Sequence, residues 1–284
     1  MRAQLVKTVL ETMKNDERVV LLLGDIGVYG FREAFKQFPK RVYNIGILEQ
    51  ASISLAAGLA IEGMIPVFHT IAPFMVERAL EQLKVDFGYQ GLGGNFISIG
   101  GSYDYSQLGC THHCPGDVQA LKTIPGMRVA VPGHSREFDA AFKTVYANGK
   151  PTYFRLSERS NADCHMNGIL RAGTQGTVVV FGPMLDRVLE ACVDLNVAVI
   201  YHTWAAEFNP AWLQNVSKKI VVVEPFYEGT MSYDIQKAVG QAEIHSIGVP
   251  RKFLTSYGTI EEQDEACGLT ADNIRARIKE HINV

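Results

Sequence analysis

The stretch YNIGILEQASISLAAGLAIEG, Tyr43 to Gly63, carries a lone carboxylate in apolar surroundings and decides how the rest of the chain is read. Glu49 is the first charge after Arg41. Ahead of it, Asn44 to Leu48 reads as a short apolar strand ending in a turn. Behind it, Ile53, Ala56, Ala57 and Ala60 recur at helical spacing, while Ser52, Ser54 and Gly58 keep the neighbouring surface small. Glu49 therefore opens a closely packed helix. A carboxylate there gains from the helix dipole and loses hydration, so it is either a structural cap or a tuned catalytic group.

Working outward, Leu5, Val6, Val9, Leu10 and Met13 mark one face of a helix, and Val19 to Leu23 form a continuous apolar run of the buried parallel-strand kind. That run delivers Gly24-Asp25-Ile26-Gly27 to its carboxyl end, the edge where open α/β sheets bind ligands. Asp25 is thus a candidate ligand contact or a turn residue. Residues 64–70 make another strand, and a helix begins near Phe74 and runs to Gln82. Phe74 reads as core or as a stacking platform. Further strands are expected at 95–99, 128–131 and 152–156, then at 177–181, 197–201 and 220–224, with helices between them. The fold class is α/β, with two units each built on a mostly parallel sheet. The first unit is expected over 1–158, a linker of mixed polarity over 159–176, and a smaller second unit over 177–284.

Composition fits this picture. With 284 residues, 47% hydrophobic and 20% charged, the chain has ample material for a core. A net charge of -3 without a Lys/Arg cluster favours small molecules and proteins as partners over nucleic acid or an anionic membrane. Without a signal-peptide pattern or a long uncharged apolar run, a cytoplasmic location is expected. The cysteines at 110, 114, 164, 192 and 267 are odd in number and scattered, unlike a disulfide framework. Cys110, His112, His113 and Cys114 invite a zinc reading. Donors this close in sequence do not easily wrap one tetrahedral ion, which usually takes pairs from separated segments.

Asn44 to Gly63 followed by IPVFHT resembles the pyrimidine-binding domain of the transketolase family of thiamine diphosphate enzymes, and FGPMLDRVLEA at 181–191 resembles the opening of that family's C-terminal domain. The resemblance implies that Glu49 bonds N1′ of the aminopyrimidine, favouring the imino tautomer that deprotonates thiazolium C2, and that Phe74 stacks on the same ring. It brings Asp25 near the thiazolium. The segment Gly109 to Asp117 resembles the family's G-x-T-H loop, which implies that His112 faces substrate, with His113 next to it. Imidazole suits that work because it donates or accepts near neutral pH.

The family's GDG motif and following Asn, which hold the diphosphate and Mg²⁺, have no counterpart in this sequence. The resemblance then implies one subunit of a split transketolase, an α₂β₂ assembly in which a partner supplies the diphosphate half. Such an enzyme moves a two-carbon ketol unit from a ketose to an aldehyde. Alternatives are a 2-oxo acid dehydrogenase β subunit, a deoxyxylulose-phosphate-synthase-like enzyme, and a non-catalytic paralogue. Glu158 stands where many relatives carry a phosphate-binding Arg, with Arg159 one position later. This predicts an acceptor that is unphosphorylated or carries some other polar group, held partly by Tyr103 or Gln107, or by Arg159 if the register shifts.

Overall fold

A computed structural model describes residues 1–214 and 216–282 and contains two α/β units. The first sheet is built from β1 (Val19–Leu23), β2 (Val42–Asn44), β3 (Ile65–Ile71), β4 (Gly94–Ile99), β5 (Arg128–Ala130) and β6 (Pro151–Arg155). Its order is β2-β1-β3-β4-β6-β5, and every pairing is parallel. Apolar runs such as VVLLL go to the middle because both faces of such a sheet are covered; all five residues of β1 are buried. The reversal of strand order about β1 and β3 leaves the carboxyl edge open where the loops after those strands diverge.

The second sheet takes β7 (Gly168–Arg171), β8 (Gly176–Phe181), β9 (Val197–His202), β10 (Lys219–Tyr227) and β11 (Glu243–Val249) in the order β11-β10-β8-β9-β7. Its pairings are parallel except β7 with β9. The strand β7 lies inside the segment expected as a linker. It runs along the sheet edge with only Gly168 buried, so it lacks the apolar run that marks the inner strands. The helix expected from Phe74 to Gln82 is also different. A single turn, Ala72–Met75, precedes a break, and a second turn, Leu80–Gln82, leads into a π-helix over Leu83–Tyr89. The N–H groups of both Glu77 and Arg78 return to the Pro73 carbonyl, at 2.9 and 3.1 Å, which widens the coil at the break.

One apolar cluster crosses from sheet to sheet, joining Phe68, Phe96 and Val131 of the first unit to Phe181, Ile200 and Phe226 of the second. Polar groups join them as well. The Val131 N–H donates to the Thr203 carbonyl at 2.6 Å, and the Tyr201 hydroxyl donates to Glu137 at 2.7 Å. Burial of this kind stabilises by roughly 25 cal/mol per Å² of apolar surface, so the two units are held by the same effect that holds each core.

Candidate active site at the carboxyl edge of the first sheet

Glu49 is the first residue of the helix Glu49–Ile61 and is 1% exposed. It does not cap that helix. Leu48 holds the cap position and no side chain bonds the free N–H groups there. The carboxylate instead accepts from Arg78 Nη1 at 2.7 Å and, more weakly, from the Thr70 hydroxyl at 3.3 Å. A charge at 1% exposure needs such partners, because desolvation without them costs several kcal/mol. The helix N-terminus adds a favourable field.

Arg78 also connects Glu49 to the aromatic residues. Its guanidinium carbon lies 4.1 Å from the centre of the Phe74 ring, and Phe74 meets His112 edge-on at 5.4 Å between ring centres. Tyr105 lies edge-on to His112 at 6.1 Å. Glu49, Phe74 and His112, read from separate stretches of sequence, are thus brought together on one side of the sheet. Phe74 is only half-buried, so the core reading does not describe it fully. Arg78 and Tyr105 were not singled out from sequence. Arg78 stands four residues after Phe74, but the coil breaks between them, so regular helical spacing does not give its contact.

The loop bearing His112 is fixed from below. Asp117 and Arg155, both fully buried, pair at 2.8 Å; the Tyr153 hydroxyl also donates to Asp117, and Arg155 Nη2 donates to Ser102 Oγ at 3.1 Å. His112 itself is partly exposed, with Nδ1 3.0 Å from the Thr111 hydroxyl. His113 is 6% exposed, and neither ring nitrogen has a hydrogen-bond partner among the described residues. Burial lowers its pKa, keeping the ring neutral. Cys114 is buried, and its thiol, pushed up by burial, points at Glu77 Oε1 3.5 Å away. Among the described residues, no three His, Cys, Asp or Glu side chains gather as a metal site, so the Cys-His-His-Cys stretch does not converge on an ion.

Asp25 sits in the turn after β1 with φ 57°, a left-handed backbone that a short polar residue tolerates. Its N–H donates to Asn44 Oδ1 at 3.0 Å and its carboxylate accepts from Asn44 Nδ2 at 2.9 Å. The turn-residue reading therefore describes much of what Asp25 does here, although its side chain is exposed at the sheet edge. Two positions on, Gly27 has φ +75°, and a Cβ there would come within 3.1 Å of the His69 ring. His69 donates from Nδ1 to the Ile97 carbonyl at 2.8 Å, and burial lowers its pKa to about 4.

Tyr103 and Arg159, expected to hold the acceptor, are engaged elsewhere. Tyr103 is 1% exposed and its hydroxyl donates to Asp264 Oδ1 at 2.6 Å. Arg159 donates to the same oxygen at 2.6 Å and lies over the Tyr103 ring, while Arg187 takes the other oxygen of Asp264. The register shift that could present Arg159 to a phosphate is absent, because a buried carboxylate of the second unit binds it. Gln107 remains exposed, in a groove of about 510 Å³ lined also by Asp104, Tyr105, Glu158, Ile260 and Glu261. Glu158 pairs with Arg2 at 2.7 Å. Asp104 accepts from the Ser157 hydroxyl and the Glu158 N–H, and burial raises its pKa to about 6.

A buried carboxylate linked through Arg78 to a half-buried aromatic ring fits the aminopyrimidine half of thiamine diphosphate, since a carboxyl group can bond a ring nitrogen and an aromatic can stack on it. No helix of the described residues is long and apolar enough to cross a membrane.

Comparison with known proteins gives the family and the fold. Residues 1–162 match the family described as "Transketolase, pyrimidine binding domain". An "Uncharacterized 33.6 kDa protein in fasciation locus" of Rhodococcoides fascians is 36% identical over 281 residues, covering 94% of this chain and 90% of that protein. The 1-deoxy-D-xylulose-5-phosphate synthase of Bacillus cereus (strain AH820) is 28% identical over 300 residues, which span 96% of this chain and 47% of the enzyme. The chain thus spans about half the length of that relative. Among solved structures, "Split gene transketolase, inactive beta4 tetramer" superposes with a TM-score of 0.89 at 22% identity, covering 99% of this chain and 98% of that one. The transketolase of Campylobacter jejuni gives 0.81 at 18% identity, covering 98% of this chain and 46% of its own. At these identities the solved structures establish the fold.

Proposed function

Because the chain belongs to the transketolase pyrimidine-binding domain family, whose enzymes depend on thiamine diphosphate, we propose that it is one subunit of a split transketolase that moves a two-carbon ketol unit between sugars. The observation that carries this reading is Glu49, a carboxylate 1% exposed at a helix N-terminus that does no capping and stands beside Phe74. When bound, thiamine diphosphate supplies the electron sink for cleaving and forming a C–C bond next to a carbonyl.

Glu49 would hold the cofactor's pyrimidine nitrogen by a hydrogen bond, and Phe74 would orient the ring by stacking without adding charge. His112, partly exposed and held by a loop anchored through Asp117 and Arg155, donates to or accepts from substrate oxygens. The diphosphate and Mg²⁺ are assigned to a partner subunit in an α₂β₂ assembly. Support comes from the near-complete mutual coverage with a chain described as a split-gene transketolase. On the acceptor side, Glu158, Glu261 and Asp104 line the groove next to Tyr105, and Arg159 is withdrawn onto Asp264. This favours an unphosphorylated acceptor, with Gln107 as a hydrogen-bonding residue.

A second reading is favoured by the 28% identity to 1-deoxy-D-xylulose-5-phosphate synthase, a decarboxylating enzyme that takes pyruvate. One experiment separates the two. The chain is purified alone and with a partner bearing the GDG-type half, then assayed with thiamine diphosphate and Mg²⁺ on a ketose donor and on pyruvate. The proposal expects turnover of the ketose only in the mixture. Turnover by the lone chain refutes the split-subunit reading, and turnover of pyruvate in place of the ketose refutes ketol transfer.

A further inference from the structure

Among the described residues, Arg78 is the one that touches both Glu49 and Phe74 through its charge. Nη1 is 2.7 Å from Glu49 Oε2 while the guanidinium carbon is 4.1 Å from the Phe74 ring centre. A guanidinium is planar, delocalised and rich in N–H donors, so it both stacks on aromatics and bonds carboxylates. A 4-aminopyrimidine is also planar and delocalised, and its ring nitrogen bonds a carboxyl group through one shared proton. On the reading of Glu49 and Phe74 given above, the cofactor's ring makes the same two contacts that Arg78 makes here.

We propose that the Arg78 guanidinium occupies the aminopyrimidine subsite and that cofactor binding displaces it. Neither the oxygen of Glu49 facing Arg78 nor the face of Phe74 beneath it accommodates both groups. Arg78 has a way out, since its side chain is 35% exposed whereas that of Glu49 is 1% exposed. It also stands in the break between two single helical turns, where the backbone has already left the regular coil. Glu49 is weakly held by its other partner, Thr70 at 3.3 Å, so Arg78 provides most of its pairing. Displacement then exchanges a cationic donor for a ring nitrogen joined to the carboxyl group by one shared proton, which is taken up from solvent as the guanidinium leaves, so the buried group keeps a partner. The inference rests on the cofactor reading of this site. It adds that the subsite is contested from within the chain, which weakens apparent affinity by the fraction of time Arg78 is seated.

The test uses the full chain and an Arg78→Met variant, titrated by calorimetry with 4-amino-5-hydroxymethyl-2-methylpyrimidine, the pyrimidine half of the cofactor. The variant is expected to bind the probe about tenfold more tightly, the scale of one guanidinium–aromatic contact combined with a partly exposed ion pair. Added methylguanidinium should cancel the gain in the variant and change the unaltered chain little. A second measurement needs no variant: the Arg78 side-chain Nε–H resonance should move to a free, solvent-exchanging state as the probe is added. Equal or weaker binding by Arg78→Met, or an Arg78 signal that stays put while the probe binds, overturns the displacement and leaves the cofactor reading standing. If neither protein binds the probe, the cofactor reading fails and the displacement fails with it.

Discussion

Glu49 and Asp264 are both buried carboxylates facing arginine, and they differ in what holds the arginine. Asp264 is enclosed by Arg159, Arg187 and the Tyr103 hydroxyl, whose side chains are themselves largely buried. Glu49 has one ionic partner, and that partner is 35% exposed. The first arrangement is a strut between the two units. The second leaves a carboxylate whose ionic partner reaches solvent. Burial of an acid therefore does not by itself mark a candidate reactive group; the exposure of its counter-ion distinguishes the two cases. Glu224 gives a third arrangement. It is fully buried and accepts from the N–H groups of Gly229 and Met231 and from Ser246 Oγ, all close to the turn that follows β10.

The comparison is broken most decisively at Glu49. In the reconstituted complex, Glu49→Ala should lower turnover by roughly 10²–10⁴, the scale of a lost acid–base group. Its thermal midpoint should move little, because Arg78 can relax into solvent. A melt lowered by about 0.5–2 kcal/mol with turnover retained is the outcome expected of a helix cap and would remove Glu49 from the chemistry.

Asp264→Asn should do the reverse. Removing one member of a buried charge cluster costs roughly 2–4 kcal/mol here, less than a fully dry pair, since Arg159 and Arg187 keep some water. Urea unfolding reads that loss. In the same series Arg159→Ala should leave the ratio of kcat/KM for aldoses with and without a terminal phosphate unchanged. A collapse of a phosphate preference in Arg159→Ala would show that the arginine leaves Asp264 to serve the acceptor.

Glu224 sharpens the comparison through pH. Burial raises its pKa from 4.5 to about 7, so the folded chain retains a proton that the unfolded chain releases near pH 4.5. The unfolded state binds fewer protons in that window. Stability from this group is complete below pH 4.5 and is lost as pH rises toward 7. Glu224→Gln should remove that slope, and its stability relative to the unaltered chain should rise by roughly 1–3 kcal/mol between pH 4.5 and 7. Parallel curves for the two proteins would place the titration elsewhere.

Much of the fold was legible because buried parallel strands are written as unbroken apolar runs: VVLLL, NFISI and TVVVF each became an inner strand. The edge strands of the second sheet were not legible. In β11 the first four residues, Glu243 to Ser246, stay at least partly exposed, and β7 buries only Gly168, so neither is written as an unbroken apolar run. At the site, Glu49, Phe74 and His112, read from separate stretches, are joined in one chain of contacts through Arg78. Arg78 was hidden because pairing across 29 positions is decided by side-chain geometry that no local pattern encodes. Tyr103 and Arg159 were given to the acceptor because their engagement depends on Asp264, which is 161 and 105 residues downstream of them.

That long reach bears on how the chain is made. The loop that carries His112 begins beside Ser102 and Tyr103, and its closure uses the Pro225 carbonyl and the Asp264 carboxylate. At a synthesis rate of roughly 5–20 residues per second, roughly 10–30 s separate the appearance of Tyr103 from that of Asp264. Once β6 has emerged the first sheet has every strand it needs, yet the wall of the pocket lacks its anchor until Asp264 follows. The nascent first unit is thus a folded scaffold with an unfinished mouth, completed only when the last quarter of the polypeptide emerges.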